Sequence, residues 1–300
     1  MFKKHFFIGL LLVTIFSLFL VDPASTSADW SEPLLLNTEN GATPYIISDS
    51  SGVIHVFWGS AGYGDQDAAI FYRQMINRTW SETIDIFAPP TGDVAIYPNA
   101  VIDSLGYIHL IWVSDHLYYS QAHISQALSP HGWTKPYALT ESQVVNGVIK
   151  LGIDGSLNIL YTIVGENPSV NFIISKDLGR SWEPQVNVAY PENNGYPLTC
   201  SMVIDQNGHL HATWAESILI TPPAGIYYST SNDDGGTWSH PIPIVIGGYA
   251  EPALGVDGEN KIHIVWTGTG EWAGKYHVIS EVDNGWWSDV ERLFPGGYGL

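Results

Sequence analysis

Apolar and polar positions along this chain fall into short runs rather than long periodic stretches, and one arrangement of them recurs. An Asp-bearing turn is followed by a brief apolar run ending in an aromatic residue: Asp49 to Trp58, Asp103 to Trp112, Asp154 to Tyr161, Asp205 to Trp214 and Asp257 to Trp266. Gly stands close behind the Asp, as in Asp49-Ser50-Ser51-Gly52 and Asp205-Gln206-Asn207-Gly208, where it supplies the positive φ of a tight hairpin. Alternation with period two is clear in Ile262-His263-Ile264-Val265-Trp266, whereas other runs are apolar on both faces, as strands covered on two sides are. In the fourth copy four strands can be placed, at Cys200 to Ile204, His209 to Trp214, Gly225 to Thr230 and Trp238 to Ile244. No segment beyond residue 28 carries a helical period.

Successive Asp residues lie 54, 51, 51 and 52 positions apart, the length of a four-stranded propeller blade rather than of a helical repeat. The pattern therefore predicts an all-β fold, a β-propeller of four-stranded antiparallel blades occupying residues 29–300, with repeats near 44–93, 98–140, 148–190, 199–246 and 252–293. Trp30-Ser31-Glu32-Pro33 parallels Trp238-Ser239-His240-Pro241 and adds a stray outer strand ahead of the first repeat. The fifth repeat already has its own outer strand, Trp287 to Leu293, and Gly296-Gly297-Tyr298 then parallels Gly247-Gly248-Tyr249, which opens a repeat. The expectation is five repeats truncated from six; the alternative is a five-bladed ring with one surplus strand.

Residues 1–28 depart from this pattern. Lys3, Lys4 and His5 precede an apolar run from Phe6 to Val21 and a small-residue exit at Ser25 to Ala28, which reads as a bacterial export signal cleaved after Ala28. The run falls short of the ~20 residues that span a bilayer, making an uncleaved anchor the lesser reading. Secretion, with no membrane contact after cleavage, follows. Cleavage removes Lys3, Lys4 and Asp22 and leaves 9 basic and 29 acidic side chains, a net charge near −20. That balance excludes nucleic acid as a partner, since phosphate binding needs a basic surface. Cys200 is the sole cysteine, so no disulfide can form within the chain.

Two turns between third and fourth strands match Ser-x-Asp-x-Gly-x-(Ser/Thr)-Trp: Ser175, Asp177, Gly179, Ser181 and Trp182, then Ser231, Asp233, Gly235, Thr237 and Trp238. Degenerate copies occur at Asn77 to Trp80, His131 to Trp133 and Asp283 to Trp287. This resembles the Asp-box of bacterial sialidases and their relatives, over nearly the whole of residues 29–300. The box is a structural turn: its Asp accepts backbone N–H groups, its Gly allows the bend and its Trp buries a ring between sheets. His55, His109, His211 and His263 each sit three residues before the second-strand aromatic, and a position that recurs once per repeat is a packing position. The sequence assigns no cofactor and no metal-ligand set.

The resemblance implies, for a working sialidase, three arginines gripping a carboxylate, a Tyr nucleophile with its Glu, and an Asp acid/base. The four arginines fit poorly: Arg78 and Arg180 lie in third-to-fourth-strand turns, Arg73 in a third strand and Arg292 in an outer one. What remains is the opposite end of the repeats. Its loops carry the ligand-binding candidates Tyr97, Tyr196, Tyr249, Glu251 and Trp272, since aromatic rings stack on sugars and carboxylates accept their hydroxyl groups. Glu216, Glu271 and Asp115 are weak catalytic candidates, read first as solvated loop acids. The leading expectation is an extracellular glycan-binding propeller without sialidase catalysis; the alternatives are a glycoside hydrolase of the same superfamily and a protein- or envelope-recognition propeller.

Overall fold

The computed structural model describes residues 32–36, 41–61, 68–87, 94–191, 195–217, 225–268, 273–281 and 286–295. The chain divides into two compact units, Met1–Leu36 and Asn37–Leu300. Of the first only residues 32–36 are described, so the expected export signal and Trp30 lie outside them.

In the second unit the described elements are strands apart from two 3-10 turns, Ile124–Gln126 and Pro130–Gly132. Repeat one supplies β1 (Gly41–Ser48), β2 (Ile54–Ala61), β3 (Ile70–Ile76), β4 (Thr79–Trp80) and β5 (Ile84–Phe87). Repeat two supplies β6 (Val94–Ile102), β7 (Tyr107–Val113), β8 (Leu117–His123) and β9 (Tyr137–Ala138). The third contributes β10 (Val144–Leu151), β11 (Leu157–Ile163), β12 (Ser169–Ser175) and β13 (Val186–Ala189). The fourth contributes β14 (Tyr196–Ile204), β15 (Leu210–Ser217), β16 (Gly225–Ser231) and β17 (Ile242–Ile246), and the fifth β18 (Tyr249–Val256), β19 (Lys261–Gly268), β20 (Gly274–Glu281) and β21 (Glu291–Pro295). Repeats three to five are separate four-stranded antiparallel sheets in sequence order; β2 and β6 pair briefly at Ser60 with Ala95 and join the first two repeats into one nine-stranded sheet. Such sheets are consistent with a propeller. The first strands β1, β6, β10, β14 and β18 pack each on the next.

Several boundaries differ from the sequence reading. The outer strand of repeat four starts at Ile242, not Trp238, because Trp238 turns inward to cover the neighbouring sheet. Trp287 makes a single bridge to Ser280, and β21 begins only at Glu291. β15 runs on to Ser217, which draws Glu216 into a strand. The first strands open three or four residues ahead of the expected repeat starts, since each continues through a bulge near its beginning. In repeat three the residue equivalent to Asp49 is Gly152, whose N–H bonds Ser156 O as Asp49 N–H bonds Val53 O, so Asp154 sits inside its turn. In repeat five the left-handed turn position is Asn260 (φ 61°) rather than Gly258.

Between successive sheets lies an apolar cluster, and into each reaches a Trp from the turn after a third strand. Trp133 stands edge-on to Tyr72 (centroids 6.2 Å), Trp182 to Tyr119 (5.4 Å), Trp238 to Phe172 (5.5 Å) and Trp287 to Tyr228 (5.0 Å). Every such ring belongs to the repeat before. In the two turns with the full pattern, Asp177 Oδ1 accepts Ser181 N–H (2.8 Å) and Ser175 Oγ–H (2.9 Å), and its Oδ2 accepts Ser181 Oγ–H (2.6 Å); Asp233 does the same with Thr237 and Ser231. Ser175 and Ser231 in turn accept the N–H of Gly179 and Gly235. These hydrogen bonds hold Asp177 down to about 2, with Ser181 the leading cause. Gly179 and Gly235 both have φ +81°, and a Cβ there would run into Tyr119 and Phe172 respectively. The glycine thus serves the bend and the close approach together.

Trp238→Ala should cost about 2–4 kcal/mol, since it removes a half-buried ring and bares Phe172. Gly235→Ala should cost about 1–3 kcal/mol from strain and overpacking. Urea unfolding of both variants, followed by near-ultraviolet circular dichroism, measures these losses.

Candidate functional site

The recurrent histidines form one arrangement. In repeats one, two, four and five the Asp of the first turn accepts two backbone N–H groups on Oδ1, as Asp103 does from Leu105 (2.9 Å) and Tyr107 (2.8 Å), and turns Oδ2 toward the His. The Oδ2 to Nε2 distances are 3.7 Å for Asp49–His55, 3.2 Å for Asp103–His109, 3.6 Å for Asp205–His211 and 3.1 Å for Asp257–His263. Each His Nδ1 then meets a third-strand group: Tyr72, Tyr119 and Tyr228 hydroxyls, or His277 in repeat five. Burial lowers the pKa of His55, His109 and His211, partly offset by the carboxylates, and raises that of Tyr72, Tyr119 and Tyr228. Neutral histidines and deeply protonated phenols make a structural relay, not a nucleophile. No group of three or more His, Cys, Asp or Glu among the described residues is arranged to hold a metal ion.

The feature that gathers the repeats at one place lies at the other end of the strands. A cavity of about 320 Å³ is lined by all five first strands: Thr43, Pro44 and Tyr45; Tyr97, Pro98 and Asn99; Asn146, Gly147 and Val148; Thr199 and Cys200; Glu251 and Pro252. Four of these strands break register by one residue there, between Ala42 and Tyr45, Ile96 and Asn99, Pro197 and Cys200, and Ala250 and Ala253. At three of the bulges the first residue is left-handed and not glycine: Thr43 (φ 49°), Tyr97 (φ 53°) and Glu251 (φ 53°), each followed by Pro. Bulges re-aim side chains, and strain of this kind persists only where the surroundings enforce it.

Polar side chains supply that enforcement by reaching from each first strand to the backbone of the next. Thr43 Oγ1 accepts Tyr97 N–H (2.8 Å), Asn99 Oδ1 accepts Ile149 N–H (3.0 Å), Asn146 Oδ1 accepts Cys200 N–H (3.0 Å) and Ser201 Oγ accepts Leu254 N–H (3.0 Å). Tyr45 hydrogen-bonds Asn99, and burial raises its pKa. Cys200 is buried and its thiol is likewise pushed up by burial, which leaves it an inert member of the wall. Thr199 Oγ1 is buried without a hydrogen-bond partner among the described residues.

Of the sequence candidates, Tyr97 and Glu251 line this cavity together. Tyr196 does not: its ladder partner is Ser217, and register places Leu198-Thr199, not Tyr196-Pro197, opposite Tyr97-Pro98. Both tyrosines lie inside first strands rather than ahead of them. The Tyr249 backbone opens β18; Glu271 and Trp272 fall outside the described residues. Glu216 is no solvated loop acid, being 6% exposed with Oε1 accepting Trp214 Nε1–H (2.8 Å). Asp115 stays in a loop, where Oδ1 accepts His116 N–H and Tyr118 Oη–H (both 3.0 Å). Thr43, Asn99, Asn146 and Thr199 are the lining residues that sequence reasoning missed; the recurrence of x-Pro at Thr43-Pro44, Tyr97-Pro98 and Glu251-Pro252 is the signal that points to them. The arginines lie elsewhere: Arg73 donates Nε–H to Ser81 O over Trp80, Arg292 donates to Ala273 O, and Arg78 and Arg180 sit in third-to-fourth-strand turns.

No family model and no curated protein matches the chain. Solved structures do resemble it. A Dyadobacter fermentans protein of unknown function aligns with TM-score 0.65 and 14% identity, over 81% of this chain and 79% of its own. The α-L-arabinanase of Penicillium chrysogenum, complexed with arabinobiose, aligns at 0.59 and 14%, over 84% and 81%. The NanB sialidase of Streptococcus pneumoniae aligns at 0.58 and 12%, over 83% of this chain but 60% of its own length. The likeness at these identities is one of fold, shared with carbohydrate-active enzymes.

Two predictions follow from the relay and the clasps. A group whose pKa is lower in the folded state contributes stability above its unfolded value and loses it as pH falls below that value. His55, His109 and His211 therefore make the melting temperature flat from pH 8 to about 6.5 and falling below it, whereas the lowered Asp177 and Asp233 withdraw support only below about pH 3.8. Asn146→Ala should cost about 1–3 kcal/mol by stranding Cys200 N–H, read by chemical denaturation and by faster amide exchange at Cys200.

Proposed function

We propose that this chain is an exported, glycan-binding member of the sialidase-like superfamily, an Asp-box propeller that takes a sugar in the cavity among its five first strands. One observation carries the reading: three non-glycine residues, at equivalent bulges of separate repeats, are held in the left-handed region and line one cavity. Strain of about 1–3 kcal/mol apiece is a mark of functional positions. Tyr97 offers a ring face for the apolar side of a sugar, while Glu251, Asn99, Asn146 and Thr199 offer acceptors and donors for hydroxyl groups. Fold neighbours that include a sialidase and an arabinanase support carbohydrate as the ligand class.

Binding rather than hydrolysis is the better reading, because Glu251 is the one carboxylate among the described lining residues and a glycosidase needs two, about 5–10 Å apart. The dispersed arginines support the same choice against sialidase chemistry, since a carboxylate grip needs guanidinium groups converging. Residues 1–28, with their basic start and apolar run, support export.

The test is a glycan array on the exported chain beside a fluorogenic glycoside panel that includes a sialoside. Selective binding without turnover is the expected result; cleavage of any glycoside would replace the reading with the hydrolase one, and silence in both would favour protein recognition. Glu251→Gly should weaken the selected glycan about tenfold, or 1.4 kcal/mol, while raising the melting temperature slightly through relief of the left-handed strain.

A further inference from the structure

At the opposite end of the strands, where the first and third turns of the repeats lie, three depressions adjoin across repeats three to five, each sharing lining residues with the next. The first, about 320 Å³, is lined by Asp154, Asn158, Asn207 and Asn232 among others. The second, also about 320 Å³, shares Asn232 and His209 with it and adds His211, Thr230 and Trp287. The third, about 410 Å³, shares Glu281 and Trp287 with the second and adds Trp286 and Ser288. Each alone is at the small end of ligand pockets, ~300–1,000 Å³. Side by side, they offer a groove-like track that suits a chain rather than a single unit.

One observation marks the groove as more than a seam between sheets. Trp286 is 83% exposed at its rim, beside Trp287, whose ring is anchored edge-on to Tyr228. Two adjacent indoles at the edge of a polar groove are not the scattered exposure that needs no explanation. We infer that this groove binds a linear, neutral oligosaccharide, at a second site distinct from the cavity among the first strands.

Indole faces stack on the apolar faces of sugar rings, and the amide, hydroxyl, imidazole and carboxylate groups along the groove match hydroxyls that both donate and accept. The charge decides between neutral and anionic polymers. Asp154 and Glu281 stand along the groove, Lys261 is already paired with Glu259 at 2.7 Å, and the exported chain carries a net charge near −20. An anionic polysaccharide would meet repulsion throughout. An extended peptide would look for an open strand edge for main-chain pairing, and these walls are built from turn and strand side chains instead.

The inference rests on the reading of this chain as a carbohydrate-binding protein, and the experiment separates the two. The exported chain, Trp286→Ala and Glu251→Gly are titrated calorimetrically with arabinohexaose, xylohexaose and cellohexaose, with tryptophan fluorescence and sedimentation followed in parallel. The expected result is binding of at least one hexasaccharide that quenches tryptophan emission and weakens at least fivefold in Trp286→Ala, with the quench retained in Glu251→Gly whatever heat the first-strand cavity contributes. Binding lost in Glu251→Gly but unaltered in Trp286→Ala overturns the groove and leaves the first-strand cavity standing. Absence of binding of all three hexasaccharides to the unaltered chain overturns the groove and leaves the cavity to the glycan array, and an oligomer that Trp286→Ala dissociates, without sugar binding, reassigns the indoles to self-association.

Discussion

A single indole from each of repeats two to five, laid edge-on over an aromatic ring of the repeat before it, is the contact on which the rest of this structure depends. The sheets pair internally through their own backbones, but across most of the seams between them no strand pairing is shared. Cohesion between repeats must therefore come from side chains. Trp182 on Tyr119 and Trp238 on Phe172 supply it, and the turn that delivers each indole is held by its Asp and Ser before any neighbour is met. The local turn and the long-range contact share one glycine, so the sequence cannot lose the first without losing the second. Edge-to-face pairs contribute about 0.5–1.5 kcal/mol beyond the area they bury, and repetition makes that term matter.

The two ends of the strands differ in consequence. At the first and third turns the backbone is answered locally, by an Asp that reaches two and four residues ahead in the first turns and four ahead in the third. At the other end the backbone is answered from the neighbouring repeat, through Thr43, Asn99, Asn146 and Ser201. These clasps fix the first strands relative to one another and leave the bulged residues to face the cavity. Rigid support behind strained positions is the arrangement that a preorganised binding site requires, and it explains why left-handed Tyr97 and Glu251 persist beside prolines.

The repeats were legible in the sequence because their determinants are local. Asp, Gly and aromatic residues at short fixed offsets specify a turn and a strand without knowledge of partners, and the Ser-x-Asp-x-Gly pattern contains both ends of its own hydrogen bonds. The cavity was half legible. Tyr97 and Glu251 can be chosen as aromatic and acidic residues near strand starts, but Tyr196 resembles Tyr97 only by letters, because the bulge of β14 falls at Leu198-Thr199, two residues farther on. Pairing register belongs to the partner strand and is invisible in a single run. Glu216 was misjudged for the same reason: its burial depends on Trp214 N–H and on a strand three residues longer than its apolar pattern. Asn99 and Asn146 look like polar interruptions in apolar strands until the next repeat's N–H groups are beside them.

Repeat three shows what the histidine relay is for. There Gly152 stands where the Asp would be, Asn158 replaces the His and Phe172 replaces the Tyr, so all three members are gone together. A buried His without its Asp and phenol would leave a polar ring uncompensated, at a cost of about 1–3 kcal/mol, and the same holds for a stranded phenol. Piecemeal loss would therefore be worse than either the whole relay or none of it. Phe172 keeps the ring that Trp238 needs, while Asn158 turns to Ser156 within its own turn. A repeat that dispenses with the relay and keeps the indole contact places the relay among the means of satisfying buried polar groups.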